Sequence, residues 1–246
     1  MSSLGRLANR IIEPFGYRVV RHLKTTPGGG QQSPGDSLTR LERAVDELTA
    51  IGAPVKIHAG CGPRILKGWL NIDLSFEPYG DYMQYYTNRH YPPSVRGSAL
   101  EFFSIDVTKQ ALPLADCSVD LIWHEDFIEH LGQKDQVLFL AETLRVLKKS
   151  GIHRINTPSL VAASPGGTHH DFLQGYAGVC QDEWDKPGHV NILTPRVLEE
   201  LALWVGYSRV DFNHKNASAS EQIPLEYRPD PKDGQEAVNL FADLSK

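Results

Sequence analysis

Residues 55–75, Val-Lys-Ile-His-Ala-Gly-Cys-Gly-Pro-Arg-Ile-Leu-Lys-Gly-Trp-Leu-Asn-Ile-Asp-Leu-Ser, constrain the fold more than any other stretch of the chain. Val55, Ile57 and Ala59 alternate with Lys56 and His58 and run into Gly60, Cys61, Gly62 and Pro63. That is the pattern of a short buried strand entering a tight glycine turn. Glycine at 60 and 62 removes the Cβ that would keep backbone N–H groups away from a ligand. A second strand, residues 70–74, carries Asp73 at its carboxyl edge. A carboxylate placed there, beside a glycine turn, can accept both hydroxyls of a ribose.

The spacing narrows the ligand. A dinucleotide fingerprint requires a third glycine three residues on and an acid about 20 residues further along. Ile65 stands where that glycine would be, and Asp73 follows Gly62 too closely to leave room for a full crossover helix. No Gly-Lys-Ser/Thr phosphate loop is present. A nucleoside ligand without a pyrophosphate is left, set against an ordinary tight turn followed by a surface Asp.

His-Ala-Gly-Cys-Gly-Pro followed by Gly-Trp-Leu-Asn-Ile-Asp resembles the first motif of class I S-adenosylmethionine (SAM)-dependent methyltransferases. The short Gly-Trp-x-Asn-x-Asp link is most similar to a bacterial subgroup, many of whose members sit among genes for glycan or secondary-metabolite assembly. The resemblance implies a Rossmann-like α/β fold, a doubly wound and mostly parallel seven-stranded sheet with an antiparallel last strand. It implies SAM as cofactor, with Ala59, Gly60, Cys61 and Gly62 along it and Asp73 and Leu74 at the ribose. Residues 102–107 read as a third strand ending on Asp106, which in this pattern accepts from the adenine amino group while the backbone of Val107 reads a ring nitrogen. Residues 112–122 resemble the family's link into its fourth strand, residues 119–123, and Glu129-His130 match the Glu-His that commonly follows. His124, at the carboxyl end of that strand, is expected on the cofactor.

Composition sets the frame. The chain of 246 residues is 41% hydrophobic, enough for one large core with appendages. A net charge of −5 argues against a nucleic-acid binder, which normally carries a basic surplus. Cys61, Cys117 and Cys180 form no C-x-x-C pair and read as reduced thiols of a cytoplasmic protein. No apolar run reaches the length of a membrane span.

Residues 1–24 place Leu4, Leu7, Ile11, Ile12 and Phe15 at helical spacing with five basic residues against one acid, Glu13. This basic amphipathic helix is expected to cap the main domain or a second subunit in a homodimer, with docking on an anionic membrane surface as the alternative. Residues 25–36 have linker composition, and residues 37–246 form the methyltransferase domain. Asp36 or Ser37 is expected to cap a helix bearing Leu38, Leu41, Val45 and Leu48. After Asp73 the aromatics Phe76, Tyr79, Tyr82, Tyr85, Tyr86 and Tyr91 suit either a pocket wall or a self-packed surface excursion. A helix is predicted over residues 133–149, with Lys148 and Lys149 at the negative end of its dipole. A fifth strand is predicted over 151–157, a helix opening on Thr194-Pro195, and two last strands over 207–212 and 237–244.

A sulfonium methyl is already activated, so a site needs mainly to aim the nucleophile and exclude water. A hydroxyl acceptor also needs a base, and histidine suits that role near neutral pH. The candidates are His130 and, in the aperiodic stretch 159–193, His169, His170 and His189, with Glu129 or Asp171 orienting the imidazole or taking the proton. If residues 124–130 are helical, Asp126, Glu129 and His130 share one face. Glu125, Asp126, Glu129 and Asp171 also offer hard oxygen ligands for a Mg²⁺ ion, although solvated acids at a helix start explain them without a metal. The sequence thus points to methyl transfer onto a hydroxyl of a sugar or glycan-like small molecule. The alternatives are a nitrogen or aromatic hydroxyl of a natural product, or a non-catalytic SAM-binding subunit.

Overall fold

The computed structural model describes residues 34–76, 88, 91–159, 188–226 and 239–246. The expected amphipathic helix at 1–24, most of the linker and the tyrosines at 79–86 lie outside them. The described elements, in chain order, are helix α1 (Pro34–Ala50), strands β1 (Lys56–Ala59), β2 (Leu70–Asp73), β3 (Phe102–Ser104) and β4 (Val119–Glu125), helix α2 (Gln133–Val146), β5 (Leu147–Pro158), helix α3 (Pro195–Val205), β6 (Arg209–Asn213) and β7 (Asn239–Ser245). The strands form one seven-stranded sheet in the order β3-β2-β1-β4-β5-β7-β6. β7 lies antiparallel between β5 and β6, and β1 to β5 pair in parallel. This is the Rossmann-like, doubly wound and mostly parallel α/β sheet that the motifs imply.

Helix α1 begins at Pro34, so Asp36 and Ser37 sit in its first turn and not at its cap. Ser37 is buried and its hydroxyl accepts the Ser104 N–H (3.2 Å), tying the helix to β3. Leu41 and Val45 are its deepest apolar residues, as the periodicity requires.

The link from β1 to β2 contains no helix. Parallel strands normally need a crossover of a dozen or more residues. Here the buried Asn71 side chain holds residues 60–69 in its place: it accepts from Leu66 N–H (2.8 Å) and donates to the carbonyls of Leu66 (2.9 Å), Trp69 (3.0 Å) and Glu101 (3.1 Å). Lys67 N–H to Val95 O (2.9 Å) and Gly97 N–H to Ile65 O (2.8 Å) pin the same link to residues 91–97.

Helix α2 stops at Val146, and Leu147, Lys148 and Lys149 belong to β5. The expected helical end at Lys149 fails because Lys148 reaches across to both carboxylate oxygens of Asp120 at 2.8 Å, in the extended geometry of a strand pair. α3 starts as predicted, with the Thr194 hydroxyl accepting from Val197 N–H and Pro195 in the first turn.

The main core joins Leu41, Ile57, Ile122, Phe139, Leu140, Ile155, Leu198 and Leu244 in one cluster. A second cluster, Leu66, Trp69, Tyr91, Leu121 and Trp123, involves the short link and residues 91–95. His58 stacks on Trp123 (4.4 Å, 20°), and its Nδ1 lies 3.2 Å from Asn71 Oδ1. Arg154, fully buried on β5, makes a bidentate pair with Glu226 (2.8 and 2.8 Å) and donates to His214 O (3.0 Å), holding residues 213–226 against the sheet. Among the described residues no helix is long and apolar enough to cross a membrane.

Candidate active site

The carboxyl ends of β1, β2, β3 and β4 converge on a cavity of about 200 Å³. Gly60, Asp73, Leu74, Asp106, Val107, Thr108, Phe127 and His130 line it, together with Ile72, Ile105, Leu131 and Asp135. Open parallel sheets bind ligands at this edge because neighbouring loops diverge there.

Each wall has a local cause. Gly60 adopts φ +57, and a Cβ there would fall 2.1 Å from Cδ2 of Phe127, so this turn admits only glycine beside the aromatic floor. Gly62, also left-handed at φ +49, donates its N–H to Asp73 Oδ2 (2.8 Å), while Asp73 Oδ1 accepts from Leu74 N–H (2.6 Å). The carboxylate is therefore locked in orientation across the turn. Asp106 accepts from the backbone N–H (3.1 Å) and hydroxyl (2.6 Å) of Thr108 and pairs with the exposed Lys109. Partial burial pushes the Asp106 carboxyl up, but the hydrogen bonds from Lys109 and Thr108 outweigh it and hold the group below the ordinary range.

The structure thus brings Gly60, Asp73, Leu74, Asp106, Val107 and His130 to one cavity. Ala59 and Cys61 turn into the core instead. Ala59 is 1% exposed, and Cys61 packs on Ile65 and Phe102, where no helix begins. His124 departs most from expectation. β4 runs on to Glu125, so His124 is a strand residue rather than the first of a loop. Its ring points into the apolar interior among Phe127, Phe139 and His153, and neither ring nitrogen has a hydrogen-bond partner among the described residues. Burial pushes its pKa down to about 3, so it is neutral. Its side chain does not line the cavity.

Residues 126–130 do not form the expected α-helical face. Asp126 is left-handed (φ 51), and only a 3₁₀ turn, Ile128–His130, follows. Glu125 is taken up by Arg64 (2.9 Å) and Asn156 (2.9 Å). The set of acids expected to hold Mg²⁺ is therefore not assembled among the described residues, and Asp171 lies outside them with His169 and His170. Glu129 is instead fully buried behind His130, its Oε2 accepting from the Thr157 hydroxyl (2.9 Å). His189 comes back from residues 188–193 to stand beside both, its Nε2 4.0 Å from Glu129 Oε1 and its ring centroid 4.8 Å from that of His130.

Phe127 and Asp135 had no signal in the sequence. Phe127 lies one residue past a left-handed Asp126, and Asp135 belongs to the first turn of α2, so both depend on how β4 ends.

A family model described as a methyltransferase domain matches residues 58–155, from β1 into β5. The match takes in the strands that wall the cavity and ends within β5. A probable S-adenosylmethionine-dependent methyltransferase of Mycolicibacterium smegmatis is 44% identical over 55 residues, covering 22% of this chain and 21% of that protein. Another, of Mycobacterium tuberculosis, is 46% identical over 55 residues, covering 22% and 19%. The chain spans about a fifth of the length of these curated relatives. Similar solved structures include a SAM-dependent methyltransferase from Archaeoglobus fulgidus (14% identity, 87% of this chain and 95% of that one, TM-score 0.47). They also include a 1,6-didemethyltoxoflavin N1-methyltransferase of Burkholderia thailandensis with bound S-adenosylhomocysteine (15% identity, 100% and 91% coverage, TM-score 0.44).

Proposed function

We propose that the chain transfers the methyl group of SAM to a hydroxyl of a sugar or glycan-like acceptor, releasing S-adenosylhomocysteine. The observation that carries this reading is a single cavity walled by the glycine-only bend at Gly60, the locked carboxylate of Asp73 and the Asp106-Val107-Thr108 backbone. These supply, in order, close backbone approach, a two-oxygen acceptor for ribose hydroxyls, and a mixed donor and acceptor edge for adenine. No anion-binding helix N-terminus follows β1, which suits a nucleoside without phosphates.

In this reading the acceptor enters past His130, on the wall that continues to Glu129 and His189. A lone pair on the acceptor oxygen forms the new C–O bond in line as the S–CH3 bond breaks, and that electron pair stays on sulfur. The hydroxyl proton leaves as the bond forms, and the Glu129-His130-His189 wall is where that loss is assisted. His130 supports such a role: its Nδ1 lies 3.0 Å from Gly188 O, an acceptor, so Nδ1 carries the proton and Nε2 offers a lone pair. Polar wall groups of this kind favour a polyol over a flat aromatic acceptor.

Calorimetry with S-adenosylhomocysteine tests the cofactor half. Asp73→Ala is expected to weaken binding by about tenfold or more, the loss of hydrogen bonds to a charged acceptor. Unchanged affinity overturns the ribose placement. Transfer of labelled methyl from SAM to a panel of sugars, phenols and amines tests the acceptor, and turnover confined to amines overturns the hydroxyl assignment.

A further inference from the structure

We propose that Glu129, His130 and His189 form a binding site for one divalent first-row transition-metal ion at the acceptor end of the cavity. The role given to that ion rests on the methyl-transfer reading above. Its existence does not.

Three potential ligand atoms, one from each residue, lie within 4.8 Å of one another. Bonds of about 2.1 Å place adjacent ligand atoms about 3 Å apart, so small side-chain rotations close the cage. The donors come from two segments far apart in sequence, yet the backbone holds them in register. Val190 and Asn191 N–H both donate to Glu129 O (2.9 and 3.1 Å), and Asn191 Nδ2 donates to Gln136 Oε1 (2.9 Å). Gln136 Nε2 in turn donates to Ile128 O (2.9 Å), so the 3₁₀ turn bearing Glu129 and His130 and the segment bearing His189 form one rigid unit.

The groups behind the donors are those a metal site needs. His130 is oriented by Nδ1–H to Gly188 O, and Thr157 holds Glu129 Oε2. Such outer partners set the tautomer and orientation of ligands. Gly188 is itself confined: its φ is +91, and a Cβ there would press on His130 Nδ1 at 3.1 Å. The Glu129 side chain is fully buried and that of His189 is 6% exposed, while His130 reaches the cavity.

Donor chemistry selects the ion. Two imidazoles and one carboxylate suit Mn²⁺, Fe²⁺, Co²⁺ or Zn²⁺, whereas Mg²⁺ demands oxygen. Three protein ligands leave positions open, as in catalytic sites. With the ion bound, the His130 Nε2 lone pair is on the metal rather than free as a base. An acceptor hydroxyl at an open position has its pKa lowered, its proton leaves to water, and the oxygen attacks the methyl carbon. The balance is hydroxyl plus SAM giving methyl ether, S-adenosylhomocysteine and one proton.

The test is equilibrium binding of metal alone to chelator-treated, tag-free protein. Co²⁺ followed by its visible absorption, and Mn²⁺ followed by electron paramagnetic resonance, should each bind at one equivalent, with Mg²⁺ in large excess failing to displace them. Loss of an outer partner alone costs about 10–100-fold in affinity, so His189→Ala and Glu129→Gln should each weaken Co²⁺ binding by about a hundredfold or more. Thermal melting and S-adenosylhomocysteine binding of the same samples report folding, and His189→Gln replaces His189→Ala should the latter unfold. Absence of stoichiometric Co²⁺ and Mn²⁺ binding, or binding equal in wild type and variants, overturns the site. Metal binding without S-adenosylhomocysteine binding leaves the site standing and removes the methyl-transfer reading.

Discussion

His124→Phe isolates the cost of keeping an imidazole in the apolar core. His124 is fully buried, stands 5.4 Å from Phe139 and 5.7 Å from Phe127 between ring centroids, and has no partner for either nitrogen among the described residues. Burial sets its folded pKa at about 3 against an ordinary 6.5. Above pH 6.5 neither state is charged and the group is silent. As pH falls from 6.5 towards 3, the unfolded chain takes up a proton that the folded chain refuses, so stability is lost at about 1.36 kcal/mol per pH unit. Between pH 6.5 and 5.0 that is about 2 kcal/mol from this residue alone. Phenylalanine removes the linkage and also removes an unsatisfied buried polar group, itself worth about 1–3 kcal/mol and offset in part by the larger ring. Urea unfolding followed by circular dichroism at pH 7.5 and pH 5.0 measures both. The variant should gain about 2 kcal/mol on wild type at pH 5.0 beyond any difference at pH 7.5. His58 and His153, whose pKa values burial also lowers, keep the variant acid-sensitive at a shallower slope. Should wild type and variant lose equal stability between the two pH values, His124 is not the neutral, desolvated group described here.

Gly60→Ala should destabilise by about 1–2 kcal/mol from its left-handed backbone. It should also drive Phe127 into the cavity, so that calorimetry shows S-adenosylhomocysteine affinity falling by more than tenfold while far-ultraviolet dichroism is retained. Glu226→Gln breaks the bidentate pair with the buried Arg154 guanidinium and should cost about 3–5 kcal/mol in urea unfolding, since it leaves only the more distant Asp243 carboxylate (3.4 Å) opposite that buried charge. An effect under 1 kcal/mol would mean that Asp243 already neutralises Arg154 without it. Together with Asp73→Ala and the metal titrations, these separate damage to the fold from damage to the site.

Local pattern in the chain determined the strands and much of the ligand edge. Apolar alternation placed β1, the apolar run after Asp120 placed β4, Thr194-Pro195 opened α3, and Gly60 with Asp73 after it marked one side of the cavity, because these features depend on neighbours a few residues away. Tertiary structure decided the rest. Period-two spacing could not say that β4 would continue through His124 and bury it, since strand length there is set by pairing with Ile155 and Asn156 of β5. Nor could it say that Lys148 would leave the helix for Asp120, 28 residues away. Glu129, His130 and His189 were each legible as polar residues, but their meeting depends on hydrogen bonds from Val190 and Asn191 to a carbonyl some sixty positions earlier. Such contacts form only once the sheet has fixed where both segments leave it.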